Sequence, residues 1–165
     1  RLSTPQLDLG SCTRLALVTC SREVHDRLDW TPDVSFDMRR FRDPAANSKL
    51  KEHDGHHATI LERMLAHQEF PLWLGEMRSR VQDGLLRVTK AGRTELNVAL
   101  FCRSGQHRSV AGSVIMRRIA RAEGLQFQAK HMTVRRCKLA CCQGQGPRVK
   151  KVLCGALRMW EQVCD

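Results

Sequence analysis

Short apolar runs alternate along the chain with longer stretches in which apolar residues recur every three or four positions. The runs are bounded by polar or turn-forming residues, as is typical of buried strands. They predict four strands, at residues 14–20, 34–38, 96–102 and 126–132. The polar stretch 39–51, which contains Pro44, is predicted to be a loop.

The stretches with a helical period predict four helices. The first begins near His56, and the second opens at Pro71 and is predicted to stop at Asp83-Gly84. The third follows residue 108 and ends at Gly124, and the fourth lies close to the C-terminus. Strands that alternate with helices predict an α/β domain with a mainly parallel sheet and helices on both faces.

Basic residues outnumber acidic ones by 28 to 17, which gives a net charge of +11. Most of the excess lies late in the chain, where Glu123 is the only acidic residue between positions 103 and 158. Such a surface favours anionic partners and makes RNA a candidate partner. The candidate RNA-binding residues are Arg117, Arg121, Lys130, Arg135, Arg136, Lys138, Lys150 and Lys151. The sequence has no Tyr, so we expect contacts to the RNA backbone rather than base stacking.

The eight cysteines lie partly in apolar runs, where a free thiol acts as a small apolar side chain. We therefore expect mostly reduced cysteines and an intracellular, cytoplasmic protein. Apolar runs stay well below the roughly 18 residues of a membrane span, so we expect no membrane partner. The chain starts at Arg1 rather than Met, and we expect it to be part of a longer protein. A homo-oligomer is left open.

The polar segment 102–109 joins a predicted buried strand to a predicted helix and is the main candidate site. Helix N-termini collect backbone N–H groups that bind phosphate, and Gly105 allows a tight path. A guanidinium can bind two phosphate oxygens, and ring nitrogens and hydroxyls can donate further hydrogen bonds. The candidate phosphate-binding residues are Arg103, Ser104, Gly105, Gln106, His107, Arg108 and Ser109.

The same segment fits the pattern C-x-x-G-x-x-R-S of cysteine-dependent phosphatases. In such an enzyme Cys102 would be the nucleophile and Arg108 would hold the phosphoryl oxygens. Phe101 replaces the His usual before the cysteine, which leaves less to lower the thiol pKa. No carboxylate is an obvious leaving-group acid, although Asp29, Asp33, Asp37 and Asp83 stay open. The phosphatase is therefore the alternative hypothesis.

Three segments together resemble the RapZ C-terminal domain family. Residues 102–110, Cys-Arg-Ser-Gly-Gln-His-Arg-Ser-Val, resemble its Gly-Cys-Thr-Gly-Gly-Lys-His-Arg-Ser-Val signature, and residues 35–44 resemble its Phe-Asp-Val-Arg-Phe-x-x-Asn-Pro stretch. His131-Met132-Thr133 resembles its His-Arg-Thr. The resemblance covers roughly residues 13–137, which we take as one domain, with 138–165 as a basic, Cys-rich, helical extension packed on it.

This resemblance implies a sugar-phosphate-kinase-like (phosphofructokinase-like) three-layer domain that binds a phosphorylated amino sugar and, in bacteria, a small regulatory RNA. It implies that Asp37 binds sugar hydroxyls, that Arg39, His131 and Thr133 line the same pocket, and that the loop holds the phosphate. The chain departs from the family at Phe101, Arg103, Ser104 and Gln106, so the identity of the sugar does not transfer. The sequence has no G-x-x-x-x-G-K-S/T nucleotide-binding loop.

Two His- and Cys-rich segments resemble metal sites less well. In 53–57, His-Asp-Gly-His-His, adjacent histidines on a helix point apart, and Asp54 is predicted to cap the helix. The late cysteines lack paired C-x-x-C motifs, and Cys141 and Cys142 are adjacent. We therefore predict no metal and no cofactor. The leading hypothesis is a non-catalytic sensor or adaptor domain that binds a phosphorylated small molecule, phosphosugar- or nucleotide-like, at 102–109.

Overall fold

The structure is a computed structural model that describes residues 5–163. Its strands are β1 (Arg14–Ser21), β2 (Val34–Asp37), β3 (Glu95–Cys102) and β4 (Gln126–His131). Its helices are α1 (Arg22–His25), α2 (Ala58–Ala66), α3 (Phe70–Lys90), α4 (Arg108–Ala122) and α5 (Pro147–Val163). Single turns of 3₁₀ helix occur at Met38–Arg40, Lys49–Glu52 and Ala140–Cys142.

The four strands form one sheet in the order β2-β3-β1-β4, and every pair is parallel. The register pairs Ser21 with Cys102, Asp37 with Phe101 and Thr19 with His131. All four strands therefore end at the same edge of the sheet. The predicted α/β class with a parallel sheet is confirmed.

Alternate strand residues face two different environments. Leu15 packs with apolar side chains of α3, α4 and α5, and Leu96 and Leu100 face α3 and α4. The opposite face carries the short helix α1, whose His25 ring stacks on Phe101 with 4.0 Å between the ring centroids. Helices thus lie on both faces, with the main core between the sheet and α2–α5.

Helix α5 is part of that core. Its residues Val152, Ala156 and Trp160 are buried, and the Trp160 indole N–H donates to the buried Glu123 carboxylate over 2.8 Å. The predicted extension therefore contributes core residues, while its boundary at residue 138 stays a prediction. Cys164 and Asp165, at its end, lie outside the described residues.

The predicted end of the second long helix at Asp83-Gly84 is wrong, because α3 continues to Lys90. A Cβ on Gly84 would lie 2.9 Å from Leu96 Cδ1 and 3.0 Å from Val34 Cγ2. The glycine therefore permits close packing on the sheet, and this tertiary contact outweighs its low helix propensity. Over residues 5–163, no helix has the length and apolar character needed to cross a membrane.

Candidate functional site

The candidate site lies at the sheet edge where all four strands end. Segment 102–109 leaves β3 there and enters α4, while Ser21, Asp37 and His131 end the other three strands. Ligands of open parallel sheets bind at this edge. The first turn of the 15-residue helix α4 directs its backbone N–H groups toward the same edge.

Gly105 fixes the path of the loop. Its φ of +74° is in the left-handed region, and a Cβ there would lie 2.0 Å from Thr133 Oγ1 and 2.6 Å from the carbonyl carbon of Cys20. The Thr133 hydroxyl also donates to the carbonyl of Ser104 over 3.2 Å. The loop, the end of β1 and Thr133 are therefore in direct contact.

His107 lies inside the protein, with 7% of its surface exposed. Its Nδ1 is 3.3 Å from Asp43 Oδ1, and its Nε2 is 3.3 Å from the carbonyl oxygen of Lys51. Burial lowers the pKa of His107, but the interaction with Asp43 outweighs this effect and the net shift is upward. His107 and Asp43 thus form a partly buried ion pair, and Asp43 was not among the predicted site residues.

The side chains on either side of His107 also bind protein carbonyls. Gln106 Nε2 donates to the carbonyls of Lys51 and His53, each over 3.0 Å. Arg108 Nη1 donates to the carbonyl of Phe41 over 2.8 Å. These contacts hold segment 41–53, which has little regular structure, against the start of α4. A phosphate role for these side chains stays a prediction.

Cys102 is 1% exposed and ends the buried face of β3. Its Sγ accepts the N–H of Gly105 over 3.3 Å and lies 3.3 Å from the hydroxyl oxygen of Ser109, which is also buried. These contacts stabilise the turn from inside. Arg103 and Ser104 are the two loop residues exposed at the surface.

Beside the loop, Asp37 ends β2 and binds the Arg39 side chain, with 2.6 Å between Oδ2 and Nη2. This hydrogen bond lowers the pKa of Asp37 despite partial burial. The guanidinium groups of Arg22 and Arg39 lie 5.5 and 5.8 Å from the centre of the Phe101 ring. Phe101 therefore occupies the space beside Asp37 together with two cations.

His131 ends β4, where its Nδ1 lies 2.8 Å from the Thr19 hydroxyl oxygen. Its ring meets the His56 ring edge to face at 5.3 Å. Burial, with further effects of His56 and Arg136, lowers the pKa of His131 to about 4. The ring is therefore neutral at physiological pH and hydrogen-bonds with Thr19, while its predicted contact with the ligand stays a prediction.

A basic pocket of ≈ 330 Å³, which His131 also lines, lies between α4, β4 and segment 136–145. We call it the arginine pocket, after Arg117, Arg118, Arg121 and Arg136, which line it. Within residues 5–163, none of the four forms an ion pair with a carboxylate. Arg118 was not among the predicted RNA-binding residues. The predicted residues outside the pocket are exposed elsewhere, at Lys130, Arg135, Lys138, Lys150 and Lys151.

Segment 53–57 differs from its predicted role. The residue that caps α2 is His57, whose Nδ1 accepts the N–H of Thr59 over 3.1 Å, so the predicted cap at Asp54 is wrong. Asp54 is fully buried and accepts the backbone N–H groups of His56 and Cys137. It does not cap the helix because α2 begins only at Ala58, and its carboxylate instead joins two segments that are distant in sequence.

The same junction brings four metal-ligating side chains together. One nitrogen of His53 and the sulfurs of Cys137, Cys141 and Cys142 all lie within 4.8 Å of one another. Spacing within each segment alone predicts no metal site. The juxtaposition depends on tertiary contacts between segments 88 residues apart, which a local motif cannot reveal.

Comparisons with known proteins agree with the three-segment resemblance. The family model described as RapZ C-terminal domain matches residues 24–135. A nucleotide-binding protein of Cereibacter sphaeroides is 28% identical over 78% of this chain and 43% of its own length. A nucleotide-binding protein of Histophilus somni is 28% identical over 62% of this chain and 36% of its own. The RNase adapter protein RapZ of Yersinia pseudotuberculosis is 28% identical over 64% of this chain and 37% of its own length. The chain thus spans about two fifths of the length of these curated relatives.

Proposed function

Because the chain belongs to the RapZ C-terminal domain family, we propose that it is a non-catalytic sensor or adaptor domain. Its ligand is a phosphorylated small molecule, phosphosugar- or nucleotide-like, bound at loop 102–109. Two of the relatives above are named nucleotide-binding proteins, which supports a ligand of this class.

The observation that carries the proposal is that hydrogen-bond donors, a carboxylate and positive charges lie together at the sheet edge. The N-terminus of α4 offers N–H groups to an anion, and the exposed Arg103 and Ser104 stand directly before it. Asp37, at the end of β2, can accept hydrogen bonds from ligand hydroxyls. Arg22 and Arg39 add positive charge on the Phe101 side. An anionic group with an attached polyol or nucleoside fits these features.

The interior contacts of the loop favour binding over catalysis. A nucleophilic thiol needs access to its substrate, yet Cys102 is 1% exposed and in contact with Gly105 and Ser109. Arg108, which would hold the phosphoryl oxygens in a phosphatase, donates from Nη1 to the Phe41 carbonyl over 2.8 Å. The cysteine phosphatase is therefore the weaker alternative, and a phosphate-ester assay distinguishes it.

The test measures thermal stabilisation by a hexosamine phosphate, a nucleoside diphosphate and inorganic phosphate. We expect stabilisation by at least one organic phosphate and a loss of about tenfold in affinity in Arg103→Gln, from one charged hydrogen bond. The control is Arg78→Gln on α3, which removes the same charge outside loop 102–109. Equal binding by both variants would place the site elsewhere. Hydrolysis of p-nitrophenyl phosphate that Cys102→Ser abolishes would establish the phosphatase instead.

A second function, RNA binding, rests on the arginine pocket. Four arginines without a carboxylate partner in the described residues line one concave surface, which suits the phosphates of a nucleic-acid backbone. We expect the affinity for a structured RNA to fall steeply with salt. Arg117→Gln with Arg121→Gln should reduce the slope of log K against log salt by about 1–2. Arg78→Gln is again the control, and an unchanged slope in the double variant would refute this surface.

A further inference from the structure

We propose that His53, Cys137, Cys141 and Cys142 form a structural zinc site, which we call the Cys₃His site. The four ligand atoms lie within 4.8 Å of one another, and His53 Nδ1 is 3.4 Å from both Cys141 Sγ and Cys142 Sγ. Tetrahedral zinc with bonds of about 2.3 Å to sulfur and 2.0 Å to nitrogen separates these atoms by about 3.5 Å. The observed nitrogen–sulfur distances match that edge of the tetrahedron.

Packing alone does not explain the cluster. Cysteines that serve as small apolar residues are buried, as Cys12, Cys20 and Cys102 are here. Cys141 is instead exposed and Cys137 is only half buried, yet both sulfurs lie within 4.8 Å of the same His53 nitrogen. Within the described residues all three cluster cysteines are free thiols, so no disulfide accounts for their approach.

The backbone around the ligands is held in the way that structural metal sites require. The buried carboxylate of Asp54 accepts the N–H of Cys137 over 3.2 Å and both the N–H and the ring nitrogen of His56. Such contacts fix the ligand-bearing segments before the metal binds. The 3₁₀ turn at Ala140–Cys142 directs the adjacent cysteines toward one centre, which an extended backbone would not do.

The donor set and its surroundings select zinc. Three thiolates and one imidazole are typical of closed, four-coordinate zinc sites, whereas magnesium and calcium take oxygen ligands. Three thiolates with Zn²⁺ carry a net charge of −1, and Arg135, Arg136 and Lys138 lie on the same segment. These cations compensate the charge at the surface of the site.

The Cys₃His site would hold one wall of the arginine pocket. Arg136 is adjacent to Cys137, and Gln143 and Gly144 follow Cys142; all three line the pocket, as does His56. On the other side, the His53 carbonyl accepts the Gln106 side chain of the loop. Zinc would therefore hold the segment after β4 in place beside both the arginine pocket and loop 102–109, without contacting the ligand of either surface.

The test measures zinc per chain by mass spectrometry in protein produced with added zinc and purified under reducing, chelator-free conditions. We expect about one zinc per chain. After zinc removal, a Co²⁺ titration should give the visible absorption of tetrahedral cobalt with thiolate ligands. Zinc well below one per chain together with no such spectrum would refute the site, and so would a disulfide among the three cysteines in the purified protein.

Variants then assign the ligands. Cys141→Ser is the mildest change because Cys141 is exposed, and it should weaken cobalt binding by on the order of 100-fold. Cys154→Ser is the matched control, an exposed cysteine on α5 outside the cluster, and should bind cobalt as the parent chain does. Equal cobalt binding by both variants would overturn the assignment. Because the titration of the parent chain needs no substitution, the proposal stays testable even where Cys137→Ser or Cys142→Ser does not fold.

Discussion

Replacing Gly105 with Ala tests whether the loop is as closely packed as the structure indicates. The added Cβ would lie 2.0 Å from Thr133 Oγ1 and 2.6 Å from both the Cys20 carbonyl carbon and the Ser21 nitrogen. Thr133 can rotate away by giving up its hydrogen bond to Ser104. The β1 backbone at Cys20 and Ser21 cannot move away in this manner, because it is paired with β3 in the sheet.

Two effects add in this variant. A non-glycine residue in the left-handed region costs about 1–2 kcal/mol, and forcing a methyl group against backbone costs about 1–3 kcal/mol. We therefore expect the free energy of unfolding to fall by about 2–5 kcal/mol in Gly105→Ala. Urea denaturation of the parent and variant chains measures this difference.

Gly92→Ala separates the two effects. Gly92 has a φ of +67°, and apart from Gly92 and its two chain neighbours no atom of the described residues lies within 4 Å of a Cβ placed there. It should therefore show only the backbone effect, about 1–2 kcal/mol. Adding Thr133→Ala to Gly105→Ala should restore only part of the loss, because the β1 backbone contacts remain. If Gly105→Ala destabilises the chain no more than Gly92→Ala does, the close packing of the loop is refuted.

Three further predictions concern buried polar groups. Because the pKa of His107 is raised, its ion pair with Asp43 stabilises the fold fully below about pH 6.5. This contribution is lost as the pH rises through the pKa of His107 in the folded protein. His107→Gln should therefore flatten the stability–pH curve above about pH 6.5. The pKa of His131 is lowered to about 4, so stability should fall by about 1–3 kcal/mol as the pH drops from about 6.5 to 4. His131→Gln should remove that loss, and an unchanged acid limb would contradict the assignment. Glu123→Ala should destabilise the chain by about 2–4 kcal/mol in urea denaturation, since it removes the buried carboxylate that accepts the Trp160 indole N–H and the backbone N–H of Leu7.

The elements that the sequence predicts well are those with a strong local signal. Strand β3 begins and ends within one residue of the predicted run, and α4 ends before Gly124, whose φ is +91°. Both depend on periodicity and on one glycine, which are local properties. The predicted end of α3 is too early because the helix continues through Gly84. The glycine is needed there for close packing against Leu96 and Val34, which lie on other elements.

The candidate site was predictable in position but not in its internal contacts. The family signature places the loop at the strand ends, yet it does not show that His107 faces Asp43 or that Gln106 binds two carbonyls. Those partners come from segment 41–53, which has no periodicity to place it. The grouping of His53 with three late cysteines depends on the same long-range packing.

These internal contacts change which residues are expected to determine ligand selectivity. A side chain that already binds protein carbonyls gives up those hydrogen bonds when it turns to a phosphate, at a cost of about 1–3 kcal/mol for each buried group left unpaired. That cost falls on Gln106 and Arg108, whereas the exposed Arg103 does not incur it. Phe101 and Arg103 both depart from the family pattern; Phe101 lines a pocket together with Asp37, and Arg103 is exposed in the loop. Selectivity should therefore depend on these two positions, while the residues shared with the family keep the loop in shape.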